Sequence, residues 1–424
     1  MHHDPLEGLG LGRRRGARGL LAHQQPLNPN LSVAGELPHD LRLVMAREQA
    51  RTACRCVVAN ALLAQWQGES TWVFYSRDNT HYAAVRAGVP FWYSRSAVAW
   101  AVDQLVARGL LEEKRTAPSP SARFRSSFRA TGNLIQAIGP VDISHLRWTT
   151  THPVILHSRD DRRTLDPVAV LTDLELAELA DIGIDVEAHN AFMSAFDIRL
   201  HPDAVEVLPS GLLKVGNVCL NPALRRQHRV FNGDLQHGGR WYGSWWQTVP
   251  AAARPHLLID GQPTVELDFA ACQLRLMFAW LGLTDPLDGA IRNPAFDLYA
   301  IDGFARDDVK LALLMMINAR NLVAARGALA AELTCDPATR RREASHILRA
   351  VQQRFPELEQ LWCSGLGLRL QRADSDICTM IHRKMRAQGL PVLSVHDGFI
   401  SWKHAEPQLR SIMLEAFQSA WKGL

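Results

Sequence analysis

Two aspartates stand where a chain can offer hard oxygen ligands to a metal. The run Thr264-Val265-Glu266-Leu267-Asp268-Phe269 alternates strictly. Alternation sends Val265, Leu267 and Phe269 to a core and Glu266 and Asp268 to the open face of a strand. The period then becomes helical from Ala270 to Leu281 and is stopped by Gly282, so Asp268 sits at a strand end just before a helix, one half of a metal site. Near the C-terminus, Leu390 to Trp402 reads as two apolar strands joined by a tight turn at His396-Asp397-Gly398, which puts Asp397 on a hairpin tip. Asp-Gly is also ordinary turn chemistry, and taken alone Asp397 carries no more than that. Glu266 reads as an exposed strand residue, with a metal-proximal role as the alternative, and His396 is expected to pack and orient the turn.

Other elements frame these residues. An Ala-, Leu- and Val-rich stretch from Met45 to Gln67 predicts a helix, and Thr71 to Tyr75 a short strand. Ser94 to Gly109 predicts a well-delimited helix: Ser94 caps it, Val98, Val102, Leu105 and Val106 share a face, and Gly109 ends it. Leu110 to Arg115, a Pro/Ser turn, and Arg123 to Arg129 follow as strand, loop, strand. Residues 1–44 carry Gly8-Leu9-Gly10-Leu11-Gly12, an Arg run and scattered prolines, a composition expected of a flexible basic arm. The glycine run follows no strand and is not a dinucleotide fingerprint. Residues 141–200 read as a connector with some helix, including a solvated one near Asp173 to Leu179. Trp241, Trp245 and Trp246 are expected in an aromatic core, with base stacking as the alternative.

Composition sets limits. The 424 residues suffice for two or three domains. Lys plus Arg (47) barely exceed Asp plus Glu (43), so the charge permits a nucleic-acid partner without demanding one. Basic residues crowd into Arg13 to Arg18, Arg108 to Arg129 and Arg225 to Arg240. Seven scattered cysteines form neither a disulfide framework nor paired zinc spacing, and no apolar run is long enough for a membrane span or a signal peptide. The expectation is a cytoplasmic protein with no membrane partner.

Several segments resemble a known family. Asp268-Phe269-Ala270-Ala271-Cys272-Gln273-Leu274-Arg275 resembles motif A of family A DNA polymerases and the related phage-type single-subunit RNA polymerases. Val395-His396-Asp397-Gly398-Phe399 is similar to their motif C, where His-Asp lies at a hairpin. Arg306 to Lys310 and the helical run to Asn318-Ala319 resemble motif B, with Arg306 and Lys310 on one helical face. Gln371 and Asp376 are similar to the segment preceding motif C, and Gly239-Arg240-Trp241-Tyr242 resembles the Gly-Arg element that meets template and primer. All five stand in the family's order.

This resemblance implies a palm in which Asp268 and Asp397 hold two Mg²⁺ ions, with Mn²⁺ able to substitute, for in-line phosphoryl transfer. It implies that Arg306 and Lys310 meet the nucleoside triphosphate, Lys310 also as a proton donor to pyrophosphate. Gln273 and Asn318 would border the nucleotide, and Arg240, Arg275 and Gln371 would touch nucleic acid. Gln273 stands where the DNA polymerases place a Glu that excludes a 2′-hydroxyl, and Asn318-Ala319 where the family has Tyr-Gly. These departures leave DNA and RNA open as template and product. They also raise an alternative: a degenerate palm serving as a nucleic-acid-binding replication or regulatory factor. The short interval from Asp268 to Asp397 implies reduced fingers.

The helix ending at Gly109 and the basic hairpin after it resemble the recognition helix and wing of winged helix-turn-helix modules, over Met45 to Ile138. That implies nucleic-acid contacts from Arg95 on the helix and from Arg123 and Arg125 on the wing. The alternative is a winged fold used for packing or protein contacts. The expected architecture is α+β: a flexible arm (1–44), a winged module (45–140), a connector (141–200), and an antiparallel palm sheet with reduced helical fingers (201–424). A winged-helix regulator with an unrelated C-terminal domain would require the motif order to be accidental, and closeness of Asp268 to Asp397 separates the two.

Overall fold

The computed structural model describes residues 24–34, 48–68, 71–84, 89–90, 92–115, 126–148, 152–160, 164–287 and 297–423. The chain is α+β. Its first part runs β1 (Gln24–Pro26), β2 (Leu31–Val33), α1 (Glu48–Gln67), β3 (Trp72–Tyr75), α2 (Asn79–Ala84), α3 (Arg95–Ala107), β4 (Leu111–Lys114), β5 (Ser126–Ala130), α4 (Gly132–Ile138) and β6 (Leu146–Trp148). One sheet has the order β1-β3-β5-β4, with β1 parallel to β3 and the other pairs antiparallel; β2 pairs with β6. Small side chains on α1 (Ala53, Cys54, Ala61, Ala64) are fully buried and let α3 approach closely. Helix α3 ends as its sequence predicts. Ala97 N donates to Ser94 Oγ at 3.3 Å, and Gly109, at φ +68°, allows Leu110 N to donate back to Leu105 O at 3.0 Å.

The stretch expected as a flexible arm is corrected in part. Residues 24–34 form β1 and β2, with Leu27, Leu31 and Val33 buried. Asn28 N donates to Asn60 Oδ1 (2.8 Å) and Asn60 Nδ2 returns a bond to Asn28 O (3.0 Å), pinning the segment to α1. Three-residue strands among prolines leave too little periodic signal to be seen in sequence.

The larger part continues through β7 (Val154–His157), α5 (Pro167–Val170), α6 (Asp173–Met193), β8 (Ile198–Leu200), β9 (Glu206–Val207), β10 (Leu213–Val215), β11 (Val218–Leu220), β12 (His228–Asn232), β13 (Asp234–Tyr242), β14 (Leu257–Ile259) and β15 (Gln262–Asp268). Then come α7 (Cys272–Trp280), α8 (Arg306–Asn318), α9 (Leu322–Glu332), α10 (Arg340–Arg354), α11 (Gly367–Ala387), β16 (Leu393–Val395), β17 (Gly398–Trp402) and α12 (Glu406–Gly423). The site-bearing sheet is antiparallel throughout, in the order β16-β17-β15-β14-β8. Alternation sends Leu267, Phe269 and Phe399 into the core formed with α7, α8, α11 and α12, while Leu257, Ile259, Val395 and Ile400 pack against buried Trp245 and Trp246 on the other face. The core reading of the three tryptophans matches the structure: Trp241 is buried as well.

The connector assignment for 141–200 is also corrected. β6 belongs to the N-terminal part, β7 pairs parallel with β12, α6 packs on α11, and β8 is an edge of the five-stranded sheet. These short strands find partners far along the chain, a signal no local window holds. Among the described residues, no helix is long and apolar enough to cross a membrane.

Candidate active site

The end of β15 and the β16–β17 turn form the floor of the site. In the register of β15 and β17, Asp268 is opposite Gly398 and Leu267 opposite Phe399. Val395 and Gly398 close the hairpin, leaving His396 and Asp397 as its two-residue tip, with His396 in the left-handed region at φ +59°. Phe269 N donates to Asp397 O at 3.4 Å. Asp268, at the end of β15, and Asp397, in the β16–β17 turn, are thus neighbours although distant in sequence. A Cβ at Gly398 would lie in ordinary contact with both side chains, 3.4 Å from Glu266 Oε1 and 3.8 Å from Asp268 Oδ1, so this position adjoins both carboxylates. Glu266 itself accepts a 3.0 Å bond from Arg254 Nε. Ala271, at φ +49°, swings the chain from β15 into α7, a conformation that L-residues adopt only at a cost.

A third carboxylate, absent from the sequence reading, joins them. Asp374, on α11, is 4% exposed; it accepts a bond from Arg240 Nη2 at 3.2 Å and lies 3.9 Å from Cys272 Sγ. Burial raises its carboxyl to about 6; Arg240 opposes that shift, and the charge of Asp397 adds to it. Burial likewise disfavours the Arg240 cation, but Asp374, Tyr242 and Asp397 together hold its pKa above the usual value. Arg240 Nε has no hydrogen-bond partner among the described residues. Between Arg240, Asp374 and His396 lies a cavity with room for about one water molecule. His396 is exposed at the tip of the turn.

Tyr299 bridges this floor to α8. Burial raises its phenol pKa, and the charges of Asp397, Cys272 and Asp268 add to the effect. Arg306 and Lys310 of α8 face the same ring, the guanidinium carbon at 5.2 Å and Nζ at 5.9 Å from its centre. Both cations are exposed, and Arg306 is ion-paired with Asp297. The structure therefore brings together Asp268, Asp397 and Arg240, adds Asp374, and sets Arg306 and Lys310 around the Tyr299 ring. Gln273 is half-buried in the first turn of α7.

Other expected contacts are corrected. Arg275 is fully buried, with Nε and Nη2 donating to Asp285 at 2.9 and 2.6 Å and Phe417 at 4.1 Å beneath its plane. A side chain so placed cannot reach nucleic acid. Gln371 is buried inside α11. Asn318 turns Nδ2 back to Leu314 O at 2.8 Å and presses against α11: a Cβ at Gly367 would meet its Oδ1 at 2.1 Å. Its role is packing at the end of α8. The basic stretch Arg225 to Arg240 is spent largely on partners within the chain. Arg226 pairs with Glu187, and Arg229, 2% exposed, donates to Gly239 O at 2.7 Å and Asp376 at 2.9 Å. Arg95 is exposed at the start of α3, with Nε donating to Arg77 O at 2.7 Å. Arg123 and Arg125 lie outside the described residues.

The carboxylate pair suits Mg²⁺ by its donor chemistry. Among the described residues no three His, Cys, Asp or Glu side chains form a metal cage. Mg²⁺ commonly takes only one or two protein carboxylates and fills its octahedron with water and phosphate oxygens, which two adjacent aspartates on an open strand end can provide. No protein-family model matches the chain, and no curated protein matches it significantly.

Proposed function

We propose that this chain is a template-directed nucleotidyltransferase with a polymerase-type palm. The observation that carries the reading is the register of β15 and β17, which sets Asp268 beside the Asp397 turn, with the cations of α8 reached through Tyr299. Asp268 and Asp397 would hold the Mg²⁺ pair, which when bound would activate a 3′-hydroxyl and neutralise the leaving diphosphate. Arg306 and Lys310 would bind the triphosphate as point charges on a helix above the floor. Arg306 must exchange Asp297 for phosphate to do so. Arg240, locked to Asp374, would present a fixed positive edge beside Asp397. Helices α7 to α10, between the two aspartate-bearing strands, correspond to reduced fingers.

The proposal extends to the N-terminal part as a winged helix. Its support is the order α1, β3, α2, α3, β4, β5 with β5 between β3 and β4, which leaves α3 as the recognition helix and exposed Arg95 at its start. The partners would be a DNA or RNA template and nucleoside triphosphates, in the cytoplasm.

A second reading has its own observation. Arg275, Gln371 and Asn318, which the family pattern aims at nucleic acid or nucleotide, are committed to packing, as in a degenerate palm that only binds. The test is incorporation of dNTPs or NTPs on primed and unprimed templates with Mg²⁺, beside an Asp268→Asn, Asp397→Asn variant. Templated extension that disappears in the variant supports the polymerase. No incorporation in any combination, with nucleic-acid binding intact, supports the binding protein.

A further inference from the structure

Helix α10 has two unlike faces. Ala344, Ile347, Leu348 and Val351 are buried against the core shared with α8 and α9. Arg342, His346, Arg349 and Gln353 are exposed and, at 100° per residue, fall within about 60° of one another on a stripe about 17 Å long, with exposed Arg341 about 80° to one side of it and Glu343 about 60° to the other. The stripe carries no carboxylate. Glu343, at its flank, reaches Arg342 at 3.5 Å and His346 at 4.0 Å, while Arg341 and Arg349 have no ion-pair partner among the described residues. This contrasts with Arg225 to Arg240, whose guanidiniums are answered internally.

The arrangement also runs against local helix energetics. Arg340, Arg341 and Arg342 occupy the first turn, where the helix dipole disfavours cations. The N-cap Thr339 makes no capping bond there; its hydroxyl donates instead to Asp336 O at 3.1 Å. Clustered guanidiniums that repel one another and oppose the dipole mark a surface suited to an external polyanion.

We propose that the outward face of α10 holds the phosphate backbone of a nucleic-acid strand. This rests on the reading of the chain as template-directed and names where the strand would lie on the helical insertion. Guanidiniums spaced along a helix neutralise successive phosphates and release their counterions, so the contribution appears as salt dependence and carries no base preference.

The test is binding of the full-length chain to a fluorescent oligothymidylate of about 30 nucleotides, and to a duplex of equal length, from about 50 to 200 mM salt. It compares wild type with Arg341→Gln, Arg342→Gln, Arg349→Gln and with the corresponding triple Lys variant. The expected slope of log K against log salt becomes shallower by about 2 on the single strand or about 2.7 on the duplex in the Gln variant. Over a fourfold change in salt, that is roughly fifteenfold or more less loss of affinity. The Lys variant, which keeps the charge, should keep the slope. Equal slopes for wild type and the Gln variant on both probes, or no salt-dependent binding by the wild type, would overturn the inference. The arm that shows the change tells single strand from duplex. A shallower slope in a chain that extends no primer keeps this surface and removes the polymerase reading, whereas extension with an unchanged slope does the reverse.

Discussion

Replacing Asp285 by alanine should destabilise the protein by about 3–5 kcal/mol, because it strips the main counter-charge from a cation that water cannot reach. Arg275 is 0% exposed and Asp285 13% exposed. The two share a bidentate contact, with the guanidinium also lying over Phe417 at 4.1 Å. That asymmetry sets the order of the variants. Arg275→Met keeps most of the volume and leaves Asp285 partly wet, at a cost of about 1–2 kcal/mol. The double variant Arg275→Met, Asp285→Ala should be no worse than Asp285→Ala alone, since no charge is left stranded. At about 2–4 °C per kcal/mol, Asp285→Ala lowers the melting temperature of the larger part by on the order of 10 °C. Differential scanning calorimetry measures this, and salt-dependent nucleic-acid binding is measured in parallel. The reasoning fails if Asp285→Ala costs less than Arg275→Met. It also fails if Arg275→Met makes the salt slope shallower by about 0.7, the signature of one lost phosphate contact on a single strand.

Three further outcomes follow from the charges. His189 and His382 stack at 3.7 Å, and burial holds His189 at about 3 and His382 well below the ordinary 6.5. Because their folded pKa values are depressed, their contribution is present above pH 6.5 and lost as pH falls below it. Asp374, raised to about 6, has the opposite sign and gains stability as pH falls toward 3.8. From pH 7 to 5 these three groups together lose about 2–3 kcal/mol, His228, held at about 4 by burial, adds to the loss, and a flat melting temperature over that range would refute it. Asp397→Asn, which removes a charge that raises the pKa of Asp374 and Cys272, should raise the metal-free melting temperature by a few degrees, about 1 kcal/mol. Mg²⁺ at tenfold its Kd should stabilise wild type by about 1.4 kcal/mol. Equal stabilisation of the variant would remove Asp397 as a ligand.

Sequence reached the site where local patterns carry structure. The alternation of Thr264 to Phe269, the change of period after it and the Asp-Gly turn located both aspartates, and Ser94 with Gly109 delimited α3. It missed what depends on distant partners. Asp374 sits inside an unbroken helix, and only its meeting with Arg240, on a strand far earlier in the chain, makes it part of a site. Arg275 had a readable clue: it lies within Leu274 to Ala279, an otherwise wholly apolar stretch, where a cation is more consistent with a buried pair than with a surface contact. The family pattern outweighed that clue. Leu27, Leu31 and Val33 were hidden among prolines because strands of three residues show no period.

The distribution of charge bears on the choice between an active and a degenerate palm. Arg275 and Arg229 are buried and matched by Asp285 and Asp376, as structural charges must be. The end of β15 is different. Asp268, Asp374 and Asp397 add to one another's effect on Cys272, and the guanidinium that answers them is bonded to Asp374. Arg306, paired with Asp297, and Lys310 stand exposed on α8 beside Tyr299. Negative charge gathered where β15, the β16–β17 turn and α11 meet costs stability that amides in place of the aspartates would relieve. A packing role gives no reason for that cost. Uptake of metal ions and a triphosphate, under the proposed function, would give one, and this favours the catalytic reading over the relic.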